Sequence, residues 1–346
     1  MRLSECPSRS NNLQLLRFIA SVMVIISHAF SISTGERVKE WLSFITDGQI
    51  SLGGVSVSVF FCAGGFLIAK SILRVNNGAR YFKARIMKIF PALVFVVVVS
   101  AFVLGAIVTK YSTKDYYSNA ELYKYLLNGV LVLKHNLPGV FETNPYGATV
   151  NGALWTLPVE FLCYIACFVL WKINMLKKDR FKWSIPIVAL GTILLYMLIE
   201  YIKIDILMSA IRPALLFYMG IMFYVYREKI VFTKTKAVIS FFIIIISGFA
   251  GLLDVGMIMA FPYLLLYICF CLPQASDKFA KLGDLSYGIY LCGFPIQQTV
   301  VFYFGGDMSP FLNMVLSIPL AIICGILIYY FIELPLVKYE RRRKGN

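Results

Sequence analysis

The sequence predicts an all-α polytopic membrane protein of about ten transmembrane helices, with both termini in the cytoplasm. Three observations carry this. Hydrophobic residues make up 59% of the 346 positions and charged residues only 15%, against roughly 45–50% and 25% in soluble proteins. Apolar runs of about 20 residues, the length that crosses a bilayer, recur along the whole chain. The segments between those runs are alternately rich and poor in Lys and Arg, which is how positive charge sorts to the cytoplasmic side.

The predicted spans run roughly over 12–33, 50–70, 87–109, 152–171, 183–200, 206–226, 236–253, 255–272, 285–304 and 310–332, each near the length a bilayer requires. With the N-terminus inside, the inner segments carry Arg2, Arg9 and Arg17, then Lys70, Arg74, Arg80, Lys83, Arg85 and Lys88. They continue with Lys172, Lys177, Lys178, Arg180 and Lys182, then Arg227, Lys229, Lys234 and Lys236, and then Lys278 and Lys281. The tail adds Lys338, Arg341, Arg342, Arg343 and Lys344. That is 25 of the 33 basic residues; the outer segments hold seven, and Arg212 lies inside the sixth span. Moving the count by one span would scramble the alternation. The same sidedness accounts for the formal charge of +15, so no nucleic-acid partner is inferred from it.

Arg2 and Arg9 precede the first apolar run in the manner of a secretory signal. No A-x-A cleavage site follows, and the run contains Arg17 and His28, so the first helix is expected to be retained. Most connections are short. The exception, 110–151, contains Tyr116-Tyr117, the turn-forming Pro138-Gly139 and Asn144-Pro145-Tyr146-Gly147, and a segment Leu122–Leu133 patterned as a helix lying flat at the interface. No internal repeat or low-complexity tract interrupts the chain, and residues 1–346 are read as one membrane-embedded domain.

Of the eight cysteines, Cys62, Cys163, Cys167, Cys269, Cys271, Cys292 and Cys324 sit in apolar runs and Cys6 in the N-terminal tail. This is the distribution of small buried hydrophobes, not of a disulfide framework. Cys269-x-Cys271 has no histidine nearby, so no metal site is expected.

Ionisable groups inside spans are costly and usually turn inward to serve a function. Arg17 and His28 are eleven residues apart on the first helix, hence on one face and about 16 Å apart along its axis. Glu160 lies about two turns into span four, and the topology places His28 and Glu160 at comparable depth in the outer half. A carboxylate there can orient an imidazole or share its proton; the alternative is a structural pair that stabilises helix packing. Arg85 and Lys88 share a face at the cytoplasmic mouth of span three. They suit either phosphate binding or anchoring against anionic lipid. Arg212-Pro213 reads as an anion site or as a kink with a snorkelling arginine. Gly64-Gly65 reads as a packing contact, Glu333-Leu334-Pro335 as a span boundary, and His135 as a surface residue.

Taken together, these segments resemble the acyltransferase-3 family of integral membrane acyltransferases, from Asn11 to about Glu333. The Arg17-x10-His28 pair matches its first-helix signature. Phe60-Phe61-x-x-Gly64-Gly65-Phe66-Leu67-Ile68 is similar to its F-F-x-x-S-G-F-L-I segment, and Arg85-Ile86-Met87-Lys88-Ile89-Phe90-Pro91 to its R-x-x-R-I-x-P segment. Leu154-Trp155-Thr156-Leu157-x-x-Glu160 matches L-W-T-L-x-x-E, and Ser286-Tyr287-Gly288-Ile289-Tyr290-Leu291 resembles S-Y-x-I-Y-L. Gly64 replaces the usual Ser, Lys88 the second Arg, and Gly293 the His that many members carry after Tyr-Leu-x. The resemblance is to the stand-alone type, without the appended hydrolase-like domain.

The resemblance implies ten core helices in a bacterial inner membrane, no bound cofactor, and an acyl-CoA donor, usually acetyl-CoA. The implied acceptor is a hydroxyl of a surface or exported polysaccharide or its lipid-linked precursor. Arg17, Arg85 and Lys88 would hold the CoA phosphates at the cytoplasmic mouth. His28 would be the base, or the acyl carrier itself, and Glu160 would orient it. Arg212, Trp155 and Tyr287 are further candidate site residues. The competing readings are transfer of succinyl or another acyl group, a transporter or flippase, and a sensor or scaffold. Transporters often show inverted repeats, which are not evident in this sequence.

Overall fold

A computed structural model describes residues 1–6, 11–35, 37–203, 205–274 and 283–345. Arg9, Lys278 and Lys281 of the charge pattern lie outside the described residues, as do the side chains of Arg341, Arg342, Arg343 and Lys344. Among the described residues the chain is all-α, apart from two isolated β-bridges.

The helices follow the expected segments: α1 is Leu13–Thr34, α2 Leu52–Val75, and α3 Gly78–Val108 with a π-helical stretch at Ser100–Leu104. A 3-10 turn at Gly152–Trp155 leads into α4, Thr156–Lys172. Next come α5, Ser184–Ile202; α6, Asp205–Val225; α7, Lys234–Phe249; and α8, Leu253–Cys271. Helix α9 is Ser286–Tyr303 and α10 Pro310–Ile328, which passes through a π-helical Tyr329–Glu333 into α11, Leu334–Gly345.

Local chemistry sets several of these ends. The Asn11 side chain accepts from the Leu13 N–H (3.0 Å) at the start of α1. Thr233 caps α7 through the Lys236 N–H, and Ser309 caps α10, with Pro310 in the first turn where its missing N–H costs nothing. Buried Glu40 accepts from the Leu52 N–H (2.9 Å) and so fixes the entry to α2.

Among the described residues, eight helical spans are long and apolar enough to cross a membrane: Leu13–Thr34, Leu52–Val75, Gly78–Val108, Gly152–Lys172, Lys178–Ile202, Met208–Val225, Leu253–Cys271 and Pro310–Tyr339. Of the ten predicted spans, the two outside this set are also helices. Helix α7 has only 16 residues, and α9, with 18, carries Gln297 and Gln298. Leu122–Leu133 does not form a single flat helix. An α-helix at Ala120–Tyr125 passes into a 3-10 turn at Leu126–Val130, and Leu131 leaves it in the left-handed region. Asn128 explains the break, because its side chain donates to the Tyr125 and Lys134 carbonyls and accepts from the Lys134 N–H.

The chain divides into two compact units, and the division runs through α1 to α4. The first comprises Met1–Leu16, Val57–Tyr81 and Val159–Asp277; the second comprises Arg17–Ser56, Phe82–Pro158 and Lys278–Asn346. The core of the first packs Leu3, Phe66, Phe223, Phe232 and Leu266 together. Its α2 and α6 approach closely enough that a Cβ added to Gly65 would lie 1.9 Å from the Phe217 carbonyl oxygen, so Gly65 is a packing glycine, as expected. In the second unit Ile25, Leu285, Ile289 and Ala321 form a core joining α1, α9 and α10.

Candidate active site

Helices α1 and α9 run side by side in the second unit, in the same direction. Arg17 pairs with Asp284 at one end. Further along, Gln297 donates to the Ile25 carbonyl (2.8 Å) and the His28 ring meets Phe294 edge-on, with centroids 5.2 Å apart. Gly293 permits this approach, since a Cβ there would lie 2.8 Å from the Ile25 side chain. The space a histidine would need at 293 is taken by α1, which accounts physically for the departure noted in the sequence.

Arg17 and Lys88 meet in a charge cluster. Asp284 Oδ2 is 2.6 Å from Arg17 Nη1 and 3.4 Å from Lys88 Nζ, and Lys88 Nζ is also 2.6 Å from Glu333 Oε2. Ser286 donates to the other Asp284 oxygen at 2.5 Å. Burial alone would raise the Asp284 carboxyl, but Arg17 and then Lys88 hold it well below the usual carboxylate range. Lys88 Nζ lies 5.5 Å from the centre of the Tyr287 ring, within cation–π range. The Tyr287 hydroxyl donates to the Ile89 carbonyl, 2.9 Å away. Arg85 is half-buried one turn before Lys88 on α3. Two of the three cations expected to bind phosphate, Arg17 and Lys88, therefore already face two carboxylates, and these four groups balance in charge. Glu333 sits in the π-helical segment, a geometry frequent at functional sites.

The Leu154-Trp155-Thr156 segment is held against α9. Thr156 and Tyr290 share a 2.6 Å hydroxyl–hydroxyl bond, Tyr290 also donates to the Ala153 carbonyl (2.6 Å), and Asn151 donates to the Leu291 carbonyl (2.9 Å). Trp155 is half-buried within this clamp. Two of the segments singled out in the sequence are thus joined by direct hydrogen bonds.

The remaining candidates belong to the first unit. Glu160 accepts a hydrogen bond from Tyr164 one turn on, and the Tyr164 carbonyl accepts from the Tyr81 hydroxyl (3.0 Å). Arg212 meets a carboxylate of the protein, Asp254, at 2.6 Å. Among the described residues no group of His, Cys, Asp and Glu could hold a metal ion.

Sequence reasoning missed Asp284 and read Glu333 as a boundary. The available signal was positional: both are acids at ends of spans assigned to the basic side, where a partner is needed.

The family model for the acyltransferase domain matches residues 10–330. The chain is 26% identical to an O-acetyl transferase of Shigella phage Sf6, covering 85% of this chain and 86% of that protein. It is 25% identical to nodulation protein 10 of Rhizobium leguminosarum bv. viciae, covering 84% of each. No solved structure matches. With the family model matching most of the chain and membrane-length helices recurring along it, the chain belongs to the acyltransferase-3 family and is a membrane acyltransferase.

Proposed function

We propose that the protein transfers an acetyl group from cytoplasmic acetyl-CoA to a hydroxyl of a surface or exported polysaccharide, or of its lipid-linked precursor, in a bacterial inner membrane. The observation that carries this is the layout of α1. Arg17 stands in a cluster of charges at one end, and His28 lies three turns further on the same face, against Phe294. Similarity to a protein named O-acetyl transferase supports oxygen as the acyl acceptor and acetyl as the group.

In this reading the CoA phosphates dock at Arg17, Arg85 and Lys88, and the extended pantetheine arm carries the thioester along α1 towards His28. Docking requires an anion to compete with Asp284 and Glu333, so entry of the donor exchanges one set of anionic partners for another. Neutral His28 removes the proton from the acceptor hydroxyl as its oxygen attacks the thioester carbonyl. A C–O bond forms, the C–S bond breaks, and the proton passes from the imidazolium to the departing thiolate, giving free CoA.

The test uses purified protein, labelled acetyl-CoA and a lipid-linked glycan extract. Acceptor-dependent release of CoA that is lost in His28→Ala is the expected result. Label bound to the protein without acceptor, and lost in His28→Ala, would instead make His28 the acyl carrier. Flux of an unmodified solute without CoA release would favour a transporter.

A further inference from the structure

Beyond the His28–Phe294 contact, residues 141–151 fold over α9. Asn144 Nδ2 donates to both oxygens of Gln298, backbone and side chain, at 2.8 Å each. The Gln298 amide in turn donates to the Gly147 and Thr149 carbonyls at 3.1 and 2.8 Å. Tyr146 packs edge-on against Phe294, with centroids 5.6 Å apart, so one ring joins this loop to His28.

Two side-chain oxygens are left over. Gln297 is fully buried, and its nitrogen is committed to the Ile25 carbonyl. Asn144 is 5% exposed, and its nitrogen is committed to Gln298. These partners fix the orientation of both amides, and among the described residues nothing donates to Gln297 Oε1 or Asn144 Oδ1. A buried acceptor without a donor is costly, and native proteins rarely keep one without a ligand, a water or a role. Gln297 is one turn past Phe294 on α9, and the carbonyl it binds is three residues before His28.

We propose that this end of the α1–α9 seam, covered by residues 141–151, is the subsite for the acceptor sugar ring. Gln297 Oε1 and Asn144 Oδ1 accept hydrogen bonds from its hydroxyls, and Tyr146 covers its apolar face. Both amide oxygens accept only, so the subsite selects a ligand that donates several hydroxyls beside the one presented to His28. The inference rests on the reading that the acceptor is a sugar hydroxyl activated at His28, and it adds the residues that hold the ring.

Binding without donor tests the subsite separately from transfer. Purified protein is mixed with the methyl glycosides of glucose, galactose, mannose and rhamnose, and with their permethylated forms, which cannot donate. Binding is read as saturation transfer to the sugar ring protons. The expected result is transfer to at least one free glycoside and none to its permethylated form. Gln297→Met should weaken that signal about fivefold or more, the worth of one hydrogen bond, in protein that remains folded. Should Gln297→Met fail to fold, Tyr146→Leu carries the same expectation through loss of the stacking face. Absence of transfer to every glycoside, equal transfer to the permethylated forms, or an undiminished signal in the folded variants would overturn the proposal. Glycoside binding as described, without acetyl transfer, would overturn only the acetyl-CoA reading.

Discussion

Replacing Asp284 by Asn removes one of the two carboxylates that balance Arg17 and Lys88, and leaves the cluster with a net charge of one. The side chains of the Arg17–Asp284 and Lys88–Asp284 pairs are 24–33% exposed. They therefore lie between surface pairs, worth about 0–1 kcal/mol, and buried pairs, whose disruption costs about 3–5 kcal/mol. A loss of about 2–3 kcal/mol is expected. Arg17→Gln added to Asp284→Asn restores neutrality and keeps the 2.6 Å Lys88–Glu333 pair. The double variant should therefore recover about 1–2 kcal/mol relative to the sum of the single changes. The assay is denaturation of the purified protein in detergent for the wild type, both single variants and the double variant. Strict additivity would refute the reasoning, because Asp284 and Arg17 would then act independently despite their contact.

The remaining predictions concern the charged groups. Arg85→Ala should weaken acetyl-CoA binding at least tenfold in equilibrium titration, and unchanged affinity would remove Arg85 from the phosphate site. Glu333→Gln should tighten donor binding by relieving the competition for Lys88; weaker binding would show that the carboxylate supports the site. Glu160→Gln should lower the transfer rate at least tenfold at equal expression, and a wild-type rate would take Glu160 out of the machinery. The depressed Asp284 pKa fixes the sign of its pH dependence. Its stabilisation is fully present above the unfolded value near pH 4 and is lost only as pH falls through the lower folded value. The stability gap between wild type and Asp284→Asn, measured from pH 7 downwards, should thus stay constant to about pH 4 and close below it.

The ten helical segments were legible because hydrophobic length is a local property. Helices α7 and α9 show where that criterion weakens. Thr233 and Ala250 bound α7 at 16 residues, and two buried glutamines dilute α9. Those glutamines are polar because of the contacts they make, Gln297 with α1 and Gln298 with the 144–149 loop, and no periodicity announces such partners. Arg17 and His28 were legible as costly ionisable groups, and Lys88 as part of a basic face at the cytoplasmic mouth. Their partners were not, because Asp284 is 267 residues from Arg17 and Glu333 is 245 from Lys88. The break at Leu131 was hidden because one side chain, Asn128, diverts a pattern that otherwise reads as helix.

The central claim is that His28 performs acyl transfer from CoA to a hydroxyl. Its most direct test is CoA release by purified protein supplied with acetyl-CoA, with and without a lipid-linked glycan acceptor, for the wild type and His28→Ala. The account predicts acceptor-dependent release in the wild type and a loss of at least about a hundredfold in the variant, the scale of general-base catalysis. Undiminished release by correctly folded His28→Ala would contradict it.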